Sequence, residues 1–118
     1  MIDLLLRFLL ILITQGFFVT YINTDEYNGS PEAFRVYNDV LSKGKTDLLF
    51  VEAAVNDRTN AYPAAEQVRS MEGIVRQARI ANPATDIIFM YFADPDKIND
   101  YNHGLIPSEI VSHEKVAE

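Results

Sequence analysis

Cysteine is absent from the 118 residues. That excludes disulfides, thiol nucleophiles and cysteine-type zinc sites, and leaves redox compartment unread. Histidine is scarce, so His103 and His113 are the only imidazoles available as bases or metal ligands. Basic residues are few: 10 Lys and Arg stand against 17 Asp and Glu, for a net charge of −7 and a pI near 4.7. Such an acidic balance argues against nucleic acid or an anionic membrane surface as the main partner. No internal repeat, low-complexity tract or linker is present. What remains is an ordinary globular composition, 48% hydrophobic and 23% charged, of a length that suits one domain with a modest core.

The first 16 residues are set apart by an apolar run from Leu4 to Ile13. Asp3 precedes it, Arg7 interrupts it, and no small-residue cleavage pattern follows, so it is not built like a secretory signal. A spanning helix needs roughly 20 apolar residues, and Arg7, Gln15 and Gly16 break that count. Residues 1–16 are therefore read as a buried or interfacial apolar segment in preference to a membrane anchor or signal, with a cytoplasmic location favoured over the alternatives.

From residue 17 onward, strands and helices alternate. Phe17–Ile22 reads as a strand from its β-branched and aromatic content. A polar loop through Gly29 follows. Pro31 then opens a helix with Ser30 as its N-cap, and Gly44 ends it. Asp47–Ala54 is an apolar run bounded by turn residues, without period-2 alternation, as expected of a parallel strand covered on both faces. A long helix spans about Pro63 to Ala81, with Val68, Met71, Val75 and Ala78 inward, and Asn82-Pro83 stops it. Asp86–Phe92 reads as a further unalternating strand. Asp94-Pro95 starts a loop with at most a short helical turn, and Pro107–Glu118 forms a last helix. This order implies an α/β domain with a mostly parallel sheet.

Polar groups at the carboxyl end of a parallel strand sit where open α/β sheets bind ligands. Asn56 and Asp57 occupy that place after the Asp47–Ala54 strand. Asn and Asp also end strands as simple turn formers, and Asp57 is read as bonding loop backbone. Asp94 and Asp96 form a solvated turn, His103 lies in a surface loop, and His113 shares an exposed helix face with Glu114 and Lys115.

Several stretches together resemble the SGNH hydrolases, the GDSL-type esterase and lipase family. They are Asn28-Gly29-Ser30 ahead of Phe34-Arg35, Asp39-Val40-Leu41, Asp47 to Asp57, Met71 to Arg76 with Ala81-Asn82-Pro83, and His113 to Ala117. The strand ending in Asn-Asp is the specific part, and the resemblance covers residues 17–118. It implies a three-layer αβα, flavodoxin-like fold, an ester hydrolase with a serine nucleophile, and no metal or organic cofactor. It implies Asn56 as the oxyanion-hole asparagine and Gly29 as the glycine donor. Ala54 stands where the family usually has glycine. It also implies small-molecule or carbohydrate ester substrates for the complete family. No Gly-Asp-Ser occurs, and the Asp100–His103 spacing lies in the stretch where His103 is read as a surface-loop residue, ahead of the last helix and not after a final strand as the family's Asp-x-x-His would be, so the chain is expected to be an inactive central portion. In the family's sheet the nucleophile strand lies between the two strands matching Phe17–Ile22 and Asp47–Ala54. Here it has no equivalent, so the sheet must rearrange or leave edges that favour self-association. Two other classes compete: a non-catalytic α/β binding or interaction module, and a receiver-like phospho-acceptor domain using Asp25 and Glu26.

Overall fold

A computed structural model describes residues 19–23, 29–32 and 34–118. The apolar segment 1–16, Asn28 and the Asp25–Glu26 pair lie outside the described residues. Among the described residues the sheet has three parallel strands: β1 (Val19–Asn23), β2 (Leu48–Glu52) and β3 (Asp86–Phe89), in the order β1-β2-β3. β1 pairs directly with β2, from Val19 opposite Leu48 to Asn23 opposite Glu52. No strand intervenes where the family resemblance places one. β3 pairs with the other edge of β2, from Leu48 opposite Asp86 to Val51 opposite Phe89.

The central strand is buried on both faces, as the lack of alternation in its sequence requires. Leu49 and Val51 point into a core with Val36, Leu41, Met71, Ile74 and Ala78. Phe50 and Glu52, on the opposite face by strand alternation, are buried as well. β3 differs from the expectation. Ile87 and Phe89 are half-buried while Asp86 and Ile88 are exposed, so one of its faces is open.

The segment between β1 and β2 is not one continuous helix. A 3-10 turn (Ser30–Glu32) precedes helix α1 (Phe34–Asp39), and a second 3-10 turn (Leu41–Lys43) follows it. Val40 breaks the helical path with φ −126° and ψ −67°. Ser30 makes no cap, because its hydroxyl is buried without a hydrogen bond and its backbone N–H is committed elsewhere.

The strand expected over Asp47–Ala54 stops early, at Glu52. Ala54–Thr59 forms helix α2 instead of a loop. Ala54 favours the helix, and the Glu52 carboxylate accepts from Val55 N at 3.2 Å, fixing the first turn. Helix α3 (Ala64–Ala81) follows, and its buried residues are Gln67, Ser70, Met71, Ile74 and Ala78. Of the expected inward residues, Met71 and Ala78 are buried, while Val68 and Val75 are half-buried. Asn82 ends α3 and donates to Thr46 O at 2.9 Å, and Thr85 Oγ1 donates to the same carbonyl at 2.7 Å. These bonds fasten the α3–β3 turn to the start of β2.

After β3, Pro95–Asn102 is a two-turn helix, α4, where a loop was expected. Asp94 caps it by accepting from Lys97 N at 2.9 Å, and Pro95 occupies a first-turn position that tolerates proline. Helix α5 (Ser108–Ala117) completes the described chain and packs against α3. Among the described residues, no helix is long and apolar enough to cross a membrane.

Candidate functional site

β2 delivers Glu52 to its carboxyl end, and α2 turns back from there carrying Asn56, Asp57 and Arg58. Asn56 is half-buried on α2. Its neighbour Asp57 is wholly buried and joins three parts of the chain. Its Oδ1 accepts from Ser30 N at 2.8 Å, and its Oδ2 faces His113 Nε2 at 2.8 Å. One carboxylate thus ties the Gly29–Ser30 loop and helix α5 to α2. The expectation that Asp57 bonds loop backbone holds at Ser30.

Gly29 has a structural reason to be glycine. Its φ is +108°, and a Cβ there would meet Asp57 Oδ1 at 2.6 Å and Tyr62 Cε2 at 2.9 Å. The loop lies so close to Asp57 that no side chain fits between them. The chain therefore brings Gly29 to the residue adjoining Asn56, although the two are far apart in sequence.

His113 corrects the sequence reading. It is 1% exposed and not part of a solvated face. Glu114 and Lys115 are exposed, as expected. With a carboxylate opposite, Nε2 carries a proton; Nδ1 is buried and makes no hydrogen bond. The Tyr91 ring lies 6.0 Å from the imidazole, centroid to centroid, and its hydroxyl donates to Glu114 Oε1 at 2.6 Å. Burial, then that acceptor, push the Tyr91 hydroxyl above its ordinary range.

Serine, histidine and aspartate thus meet at one point, but not in a catalytic order. A triad needs histidine between serine and aspartate. Here aspartate stands in the middle, held by the serine's backbone rather than its hydroxyl. Ser30 and His113 are both 1% exposed, so a substrate has no path to them.

A second charged group lies beside the first. Lys97, 1% exposed, is paired with Asp94 and sits 3.7 Å from Glu109 Oε1. Arg58 Nη1 reaches Asp100 Oδ2 at 2.6 Å and Glu109 Oε1 at 3.2 Å. The Asp100 hydrogen bond holds the Arg58 guanidinium well above its ordinary value, and holds the Asp100 carboxyl below its own. Burial works against the Asp94 carboxylate, yet the bonds from Lys97 outweigh it and the net shift is downward. Among the described residues, Glu52 has no such cationic partner at bonding distance. Burial dominates there and pushes its carboxyl up, against the Val55 N–H and the charge of Lys97. Sequence reading missed Glu52, Lys97 and Glu109. The Asp94-Pro95 cap was the available signal, since it turns α4 so that Lys97 faces inward.

No protein-family model matches the chain, and no curated protein or solved structure matches it either. Among the described residues, no three His, Asp or Glu side chains are grouped to hold a metal ion. Asp96 is exposed. His103 is exposed too and closes α4, its Nδ1 lying 2.8 Å from Asn99 O.

Proposed function

We propose that the chain carries the oxyanion side of an SGNH-type ester hydrolase domain with a three-layer αβα, flavodoxin-like architecture. The Asn56 side-chain amide and the Gly29 N–H are its donors. The observation that carries this reading is the contact of the Gly29–Ser30 loop with Asp57 at the carboxyl end of a buried parallel strand. That contact puts a glycine with φ of +108° beside an asparagine-bearing turn, at the edge where α/β sheets bind ligands. Donors fixed in this way lower the barrier to ester cleavage by meeting the negative charge that develops on the carbonyl oxygen at the tetrahedral intermediate. The buried Asp57 bonds hold the loop in place before substrate arrives, so little reorganisation is needed during reaction.

The nucleophile and base of such a reaction are not furnished by Ser30 and His113, which are buried and wrongly ordered around Asp57. The chain alone is expected to hydrolyse p-nitrophenyl acetate no faster than a boiled control. It should acquire activity when supplied with a strand–helix unit bearing Gly-Asp-Ser and a segment bearing Asp-x-x-His. Stoichiometric labelling of Ser30 by a fluorophosphonate would overturn the assignment of roles. The resemblance admits acetylated carbohydrates, lipid esters and thioesters alike as substrates.

A further inference from the structure

We propose that a cavity between α3, β3 and α5 binds a small amphipathic carboxylate. Its apolar part is about the size of one aromatic ring, and its charge is met by Arg79. The cavity has a volume of about 140 Å³ and is lined by Val75, Arg79, Ile87, Phe89, Val116 and Ala117. Val75 and Arg79 are one turn apart on α3, and Ile87 and Phe89 share one face of β3. Val116 and Ala117 close the space from the last turn of α5. Five of the six lining residues are apolar. The space is partly open to solvent, and a volume of this order holds one aromatic ring.

Arg79 supplies the one charge. Its Nη1 donates to Pro83 O at 3.1 Å and to Thr85 O. These carbonyls pin the guanidinium at the cavity without neutralising it. Among the described residues, no carboxylate pairs with Arg79, and both of its bonds leave from Nη1. The Nε–Nη2 edge is a planar fork that suits bidentate binding of a carboxylate. An apolar lining that includes one guanidinium suits a ligand that is apolar at one end and anionic at the other.

The cavity is separate from the Asn56 region. Gln67, which donates to Tyr62 O beside Gly29, lies on the first turns of α3. Arg79 lies twelve residues further along the same helix, roughly 18 Å at the α-helical rise. A ligand here would bind at the far end of α3 from the oxyanion donors.

The test is a 1H–15N NMR titration of the full chain with benzoate, and in parallel with benzamide, its uncharged isostere. Saturable shifts are expected at the amides of Val75, Arg79, Ile87, Phe89 and Val116, with a benzoate Kd on the order of a millimolar for so small a ligand. Benzamide should bind about tenfold more weakly, the loss expected for one charge-assisted contact. Arg79→Gln should weaken benzoate by a similar factor, and Val75→Phe, which fills the cavity, should abolish the shifts. The benzoate–benzamide comparison uses the unmodified chain, so it stands even if Arg79→Gln fails to fold. Equal binding of the two ligands, or no saturable shift at these positions, would overturn the proposal.

Discussion

Replacing Asp57 by alanine would remove the acceptor of two buried donors at once. Ser30 N–H and His113 Nε2–H each lie 2.8 Å from its carboxylate oxygens, and both residues are 1% exposed. An orphaned buried donor costs about 1–3 kcal/mol. Two such donors give about 2–6 kcal/mol for Asp57→Ala, a large share of the roughly 5–15 kcal/mol that holds a domain together. Asp57→Asn keeps the shape and an oxygen for Ser30 N–H, but sets an amide NH2 against His113 Nε2. The imidazole can respond only by moving its proton to Nδ1, which has no acceptor in its buried position. That variant should lose about 1–3 kcal/mol. Urea unfolding followed by circular dichroism at pH 7 measures all of these. A cycle with His113→Ala should show coupling of about 1–3 kcal/mol between the two residues. A loss below about 1 kcal/mol for Asp57→Ala, or strict additivity with His113→Ala, would refute the view that this carboxylate joins loop, α2 and α5.

Gly29→Ala should cost about 2–4 kcal/mol, since it combines left-handed backbone strain with a clash on Asp57 and Tyr62. Gly73→Ala, on α3 with nothing within 4 Å of an added Cβ, should instead stabilise by about 0.5–1 kcal/mol; thermal melts of the pair distinguish the two effects. Glu52 has its carboxyl raised from an ordinary value of 4.5, chiefly by burial. Its contribution is therefore fully present below that value and is lost as pH rises through the raised folded value. Glu52→Gln should be more stable than the parent at pH 7, and the advantage should fade as pH falls below 4.5; an advantage that is the same at both ends would contradict this.

The parallel order of strands could be read from residue patterns because Leu48–Val51 lacks alternation and sits between turn clusters. The end of α3 was equally legible, since Asn82-Pro83 both caps and breaks. Element ends near the site were harder. Helix α2 begins at Ala54, whose propensity is outvoted by the apolar run before it until the Glu52 carboxylate is seen to hold Val55 N–H. Helix α4 was hidden by its polar composition, although Asp94-Pro95 is a proper start signal. His113 stands between Ser112 and Glu114 and reads as part of a polar face. Only the tertiary approach of α2 to α5 turns it inward onto Asp57. Asn56 was singled out by its place after a strand and by resemblance, Gly29 by resemblance alone, and what brings Gly29 to the residue beside Asn56 is a bond made by neither of them, from Ser30 N–H to Asp57.

The most direct measurement is the kcat of the completed domain, with and without Asn56→Ala, on p-nitrophenyl acetate. Loss of one oxyanion donor costs about a hundred- to a thousandfold in kcat. The account predicts a fall of that size, with KM little changed, because the bond is made at the transition state. An unchanged kcat in an active, folded Asn56→Ala enzyme would contradict it and leave Asn56 as a residue that only shapes helix α2.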